Sequence, residues 1–568
     1  MTQEKSLPQQ EQGGDSLFLF TACFVALVAT SFAFIIRVMC MDQWQIDFGL
    51  SETQKGEIFG AGMWPFGISI VLFSLIVDSV GYGRSMGFAF LCHISSALIL
   101  LTAKGYWGLY VGSILNGLAA GTVEAVINPV VATVYSKTKT KMLSFLHAGW
   151  PGGMVIGGIL MLVMHSVSKD VTWKVYVAVI LIPTLVYGLM TLKCKFPVQE
   201  RVAAGIPYRD MLSEAGTIVA FLVTYIIVKQ LGLVFGLPSA LVWVVVIAAT
   251  AAYFAYTKSL GQPVYIILVG IMVLLAITEL GIDSWVSDLM SAEMAKMNLP
   301  GQTLLIYTAM IAMVLRFCIG PIEKALKPLG VLFVGSVLAA IGLFALSKSA
   351  GMVILVTATL YAFGKAFFWP VTLGLVSERF PKGGALTMNA ISGVGMLGVG
   401  ILGSAFLGNI QDTNIDKALQ PDANLYTKLI DQKEKTSIFG NYKSLDGAKV
   451  NDLEDKIRLY TLKDDVTIRN AYDHLVRAAG DTSAKTVEEM RKGLEDKGAF
   501  VDEATYKVLV DEKTKLDGVR IAAKKRAMAT IAALPAIMAV CYLGLILYFK
   551  SQGGYKAIEL SAGGGKKE

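Results

Sequence analysis

Apolar residues in this chain gather into blocks, and the length of those blocks constrains the fold more than any other feature. Most run for about 18–25 residues, the stretch that crosses a hydrocarbon core at about 1.5 Å of rise per residue. Fourteen are legible: 17–40, 55–77, 86–103, 106–135, 142–165, 173–192, 216–234, 239–257, 264–290, 303–322, 328–346, 351–377, 385–408 and 526–549. Inside a bilayer each backbone N–H and C=O must be satisfied within the protein, so blocks of this length imply transmembrane helices. The chain is 54% hydrophobic and 16% charged, where a soluble domain carries about a quarter charged residues. The expected class is an all-α polytopic membrane protein, multi-pass in the inner or plasma membrane of the cell.

Loop charge supplies an orientation. The polar N-terminus, 1–15, precedes a block too long for a signal-peptide core, with no small-residue cleavage site behind it. With that end inside, cytoplasmic loops hold Arg84, Lys137, Lys139, Lys141, Lys193, Lys195, Arg201, Arg209, Lys258, Lys324, Lys327, Arg379 and Lys382. Positively charged loops face the cytoplasm, so both termini, including the tail 550–568, are expected there. Lys524, Lys525 and Arg526 dissent, at the outer start of the last block. Residues 409–525 are polar, with apolar positions spaced at three and four, and read as an extracytoplasmic helical insertion.

An internal repeat orders the spans. Met142–Ala148, Gly153-Met154 and Gly158-Ile159-Leu160, shifted by about 242 positions, meet Asn389-Ala390, Gly395-Met396 and Gly400-Ile401-Leu402. Pro129 meets Pro370 with nearly the same shift, and Asp78 falls near Glu323. One six-span half is thus repeated in the same direction. The expected organisation is an N-terminal bundle (16–192), a cytoplasmic linker (193–213) and an inserted helix pair (214–258). The first five helices of a C-terminal bundle (259–408), the polar insertion (409–525) and the last helix (526–549) follow.

Two six-span halves in one orientation resemble the major facilitator superfamily. Asp78-Ser79-Val80-Gly81-Tyr82-Gly83-Arg84 is similar to that family's D-R-x-G-R loop, with Ser79 in place of a basic residue and longer spacing. The resemblance implies a gating role for Asp78 and Arg84. Gly121-Thr122-Val123-Glu124-Ala125-Val126-Ile127-Asn128-Pro129 resembles the fourth span of the fucose–proton symporter group, where a glutamate followed by Asn-Pro marks the transport pathway. Phe368-Trp369-Pro370 is loosely similar to that group's tenth span.

An ionisable group at mid-span costs at least about 2.5–3.5 kcal/mol, so each such residue asks for a reason. Glu124 lies one turn from Asn128, and Pro129 removes a backbone donor beside them. The expectation is that Glu124 carries a coupling proton while Asn128 binds the solute; the bland alternative is a packing element. Glu279 and Asp283, four apart, are suited to holding one proton between them. Trp285 on the same segment is either a solute platform or an interfacial anchor. Arg37, Arg316 and Lys365 either neutralise these acids or bind an anion. Arg37 lies near enough to a span end to snorkel. His147 and Trp150, one turn apart, face the central cavity in this reading, as does Asn389, the repeat mate of His147.

Other classes fall away. Cys23, Cys40, Cys92, Cys194, Cys318 and Cys541 form no CxxC pair and read as packing residues, with neither a metal site nor a disulfide framework. The net charge of +7 resides in loop residues and does not indicate nucleic acid. There is no GxxxxGK[ST] loop, so an ATP-driven pump is not expected. The expectation is a monomeric secondary transporter, not an enzyme and without a cofactor. Its partners are the bilayer, a small solute and protons, in alternating-access symport of a sugar or similar polar solute. An anion transporter, or a sensor built on 409–525, are the alternatives.

Overall fold

The computed structural model describes residues 14–48, 50, 52–167, 171–437, 440–462, 465–476 and 486–560. Among the described residues, 13 helices are long and apolar enough to cross a membrane, and Gln302–Phe317 adds a shorter apolar one. Together they match the fourteen blocks one for one. Spans 1 to 6 are Asp15–Met41, Gln54–Val80, Tyr82–Leu101, Tyr106–Val134, Ser136–Met164 and Trp173–Thr191. Spans 7 and 8, the inserted pair, are Tyr208–Phe235 and Ser239–Thr257. Spans 9 to 12 are Pro263–Gly281, Gln302–Phe317, Ile319–Lys348 and Val353–Arg379. Span 13 opens the helical stretch Pro381–Leu419, and span 14 closes the stretch Glu503–Ser551.

The chain divides into two compact units, residues 1–403 with 531–568, and residues 404–530. The polar unit is thus wider than the hydropathy boundary at 409 and 525. Ser404–Leu419 is one helix whose apolar first turn reads as membrane-like, and Glu503–Ile531 is another that runs past 525. This unit has its own cores, one around Leu419, Leu429, Leu453 and Leu516 and one around Leu459, Tyr472, Met490 and Leu494. It also holds a short antiparallel hairpin, Lys435–Ser437 with Gly440–Tyr442, the exception to an otherwise all-α fold among the described residues.

In the membrane unit the two halves meet where span 2 packs on span 13 and where span 5 packs on spans 10 and 12. Glycines set the closeness. A Cβ on Gly158 would stand 2.8 Å from Ile306 Cδ1, and one on Gly67 would collide with Leu397. Such contacts replace the hydrophobic effect, which does not drive helices together in lipid. Span 7 packs where span 2 meets span 13, through Ile226 against Ile68 and Leu397. Span 8 packs on span 7 and leaves Trp243, Val244, Ile247 and Phe254 exposed, an apolar face suited to lipid.

Candidate functional site

Three prolines build the centre of the membrane unit. Proline has no N–H, so the carbonyl four residues earlier in its helix loses its partner. For Pro129, Pro151 and Pro370 these carbonyls belong to Ala125, His147 and Ala366. Each is taken by a side chain. Asn389 Nδ2 donates to Ala125 O at 2.9 Å, Arg316 Nη1 to His147 O at 2.7 Å, and Arg316 Nε to Ala366 O at 2.6 Å. The first two of these bonds join one half to the other. The helix breaks are visible in the chain: span 5 divides into Lys139–His147 and Gly149–Val167, and span 12 into Val353–Lys365 and Phe368–Arg379.

Around them lies a cavity with about 310 Å³ of space free of protein atoms, lined by residues of both halves. Its polar lining is Glu124, His147, Glu279 and Arg316; Phe66, Trp150 and Trp369 supply aromatic walls. Phe34 and Phe66 pack against Trp150 with ring centroids 6.0 and 6.1 Å away. In the N-terminal half a hydrogen-bonded row runs through three side chains. His147 Nε2 donates to Asn128 Oδ1 at 2.9 Å, and Asn128 Nδ2 donates to Glu124 Oε2 at 2.7 Å. All three are buried. The C-terminal half holds charge pairs instead. Arg316 Nη2 meets Glu279 Oε1 at 2.7 Å, and Lys365 pairs with Asp283.

Two buried polar atoms in the lining, the Trp369 indole N–H and Glu279 Oε2, have no hydrogen-bond partner among the described residues. One is a donor and the other an acceptor. A buried polar group without a partner costs about 1–3 kcal/mol, so this pair invites a ligand that both accepts and donates, as a hydroxyl does.

Several sequence expectations change here. Asn128 and Asn389 do not line the cavity; the Asn128 amide is engaged by Glu124 and His147, and Asn389 holds Ala125. Glu279 and Asp283 share no proton site, because each faces its own cation. Glu279 sits in a π-helical turn, Ile277–Gly281, whose extra residue rotates it away from the face that spacing of four implies. Arg37 is buried at 4% exposure and does not snorkel; its Nη2 donates to Ile58 O at 3.3 Å, and no acid reaches it among the described residues. Asp78 pairs with Arg201 of the linker, while Arg84, in the first turn of span 3, is exposed. The Trp285 side chain lies outside the described residues. His147 and Trp150 line the cavity as expected. Sequence reasoning missed Phe66, Trp369 and Arg201. Trp369 and Phe66 each stand beside a proline, Pro370 and Pro65, a signal present in the sequence; Arg201 carries none.

Comparison with known proteins places this geometry. The family model described as Major Facilitator Superfamily matches residues 18–404. No curated protein matches the chain in sequence. Among solved structures, the proton:xylose symporter XylE bound to 6-bromo-6-deoxy-D-glucose is similar, with a TM-score of 0.51 at 14% identity, over 69% of this chain and 87% of that one. An auto-inhibited peptide transporter of the POT family has a TM-score of 0.50 at 14% identity, over 71% and 91%. The E. coli fucose:proton symporter FucP has a TM-score of 0.48 at 14% identity, over 68% and 90%.

Proposed function

The chain belongs to the Major Facilitator Superfamily, and from that premise we propose that it is a proton-coupled symporter of a small, neutral, hydroxyl-rich solute such as a sugar. It works by alternating access in the inner or plasma membrane, with both termini cytoplasmic. The observation that carries this reading is the contrast among three acids within the spans. Glu279 and Asp283 are each ion-paired to a cation, whereas Glu124 makes no ion pair among the described residues and accepts from the Asn128 amide, with Arg316 farther off across the cavity. A buried charge held in no ion pair is expensive, so Glu124 is the acid that binds a proton when the site faces one side and yields it at the other. Asn128 and His147 hold its carboxyl in place from within the same half.

The solute class follows from what is left over in the cavity. Arg316 Nε, Nη1 and Nη2 already donate to Ala366 O, His147 O and Glu279, and Lys365 is ion-paired, so both cations are engaged within the protein. Trp369 N–H and Glu279 Oε2 remain, and a solute hydroxyl satisfies both. The aromatic walls, Trp150 above all, offer a face on which a sugar ring stacks. The Glu124–Pro129 resemblance to the fucose–proton group points the same way.

The test is reconstitution in liposomes with internal pH recorded, against a screen of sugars and organic anions. Wild type is expected to acidify the lumen only with a neutral polyol. Glu124→Gln keeps the size and hydrogen bonding of the side chain but fixes it neutral. It should abolish accumulation driven by a pH gradient and leave solute exchange between the two sides intact. Accumulation by Glu124→Gln as steep as wild type would overturn the proposal.

A further inference from the structure

One end of the membrane unit, where span 5 begins and span 12 ends, is closed by bonds between the halves. Lys139 Nζ reaches Glu200 of the linker at 2.6 Å and Ser377 O at 3.3 Å. Beside it, Thr140 Oγ1 donates to Glu378 Oε1 at 2.5 Å. At this closure lies a second chamber, lined among others by Pro129, Thr133, Lys139, Glu200 and Met388. Pro129 is on span 4, which also carries Glu124 of the central cavity, so one helix contributes to both chambers.

The C-terminal tail grips the same glutamate. Span 14 ends at Ser551, and Gly553 and Gly554 follow with φ of +86° and +97°, backbone angles that side-chain-bearing residues rarely adopt. Gly554 N–H closes the turn on Phe549 O at 2.8 Å. The chain then doubles back onto the end of span 12. Tyr555 O–H donates to Glu378 Oε2 at 2.6 Å, and Ile558 N–H donates to Glu378 O at 2.8 Å. Next door, Arg379 Nη1 donates to Lys556 O at 2.7 Å and its guanidinium lies 5.0 Å from the Phe549 ring centroid. Burial, and then the adjacent Glu378, push the Tyr555 phenol above its ordinary range, so it stays a donor.

We propose that residues 553–558 are a strap that holds the carrier shut at this end, by fixing Glu378 in the position from which it accepts from Thr140. One carboxyl oxygen faces the tail and the other faces the opposite half. The strap must therefore let go of Glu378, or travel with it, whenever span 5 and span 12 part. This inference rests on the alternating-access reading, but its test reads access to the second chamber and needs neither solute nor proton gradient.

The experiment uses the full chain with its six cysteines replaced by alanine and one new cysteine, Thr133→Cys, in the wall of the second chamber. The probe is a small maleimide. Tyr555→Phe removes one hydroxyl and keeps the ring; a chain ended after Gln552 removes the strap. With Tyr555→Phe the labelling rate should rise roughly tenfold, the shift that loss of one hydrogen bond to a charged acceptor produces, and ending the chain should raise it at least as far. A control cysteine, Met313→Cys, stands at the seam of spans 5 and 10, where Met313 packs on Gly152. It should label no faster in either variant. Unchanged labelling of Thr133→Cys in Tyr555→Phe would overturn the strap, and so would an equal rise at both cysteines, which reports general loosening. If the shortened chain does not fold, Tyr555→Phe alone decides.

Discussion

At the centre of the N-terminal half, Glu124 faces an amide, with an imidazole behind it; in the C-terminal half, Glu279 and Asp283 each face a cation. The two halves descend from one repeated pattern, down to prolines that free matching carbonyls at Ala125 and Ala366. Yet the carbonyl at Ala125 is capped by a neutral amide from the other half, and the one at Ala366 by a guanidinium of its own half. The difference teaches a division of labour. An ion pair buried in hydrocarbon keeps its charge state, because losing either member strands the other. A lone acid beside an amide has no such anchor. In the proposed cycle the C-terminal half supplies a fixed frame, and the N-terminal half holds the group whose protonation changes.

The hardest way to break that comparison is to remove the cation that organises the frame. Arg316→Leu strands Glu279 and leaves His147 O and Ala366 O without their donors. Breaking a buried pair on one side costs about 3–5 kcal/mol, which should appear as a marked fall in the thermal midpoint of purified protein. Adding Glu279→Leu should recover part of it, since the stranded charge is then gone. An Arg316→Leu protein as stable as wild type would mean that the pair is not the frame.

A smaller effect sharpens the role of the cavity wall. Trp369→Phe keeps an aromatic ring and deletes the unpartnered N–H. Solute affinity should fall roughly tenfold, as for one lost hydrogen bond, while the thermal midpoint stays within experimental error. Equal affinity, measured by calorimetry or competition, would remove Trp369 from the solute contacts.

The halves, the spans and the residues worth attention were legible because bilayer thickness, mid-span charge and proline leave marks in a linear chain. Who pairs with whom was not. Helix rotation decides it, and hydropathy fixes rotation poorly in helices that are apolar all round. The π-helical turn at Ile277–Gly281 makes the point: Glu279 and Asp283 read as neighbours on one face, and the structure gives them different cations. Asp78 and Arg201 lie 123 positions apart, so no local spacing rule connects them. The boundary of the polar unit shifted because the first turn of Ser404–Leu419 is apolar without belonging to the membrane unit.

The smallest expected effect is also the most selective, because it tests whether the frame is one pair or two. Lys365 makes an ion pair with Asp283 and lies 5.1 Å from the Tyr361 ring centroid. Unlike Arg316, it donates to no backbone carbonyl among the described residues, so removing it frees no main-chain acceptor there. Asp283→Leu or Lys365→Met alone leaves one buried charge unanswered and should destabilise the protein clearly. Together they remove both charges and replace them with apolar volume. Exchanging a whole buried pair for hydrophobic residues is often neutral or better, so the double variant should unfold within about 1 kcal/mol of wild type. Transport should survive in it, since neither residue lines the cavity. A double variant that is stable but does not move solute would make Lys365 and Asp283 part of the transport cycle, and the C-terminal half would no longer be a passive frame.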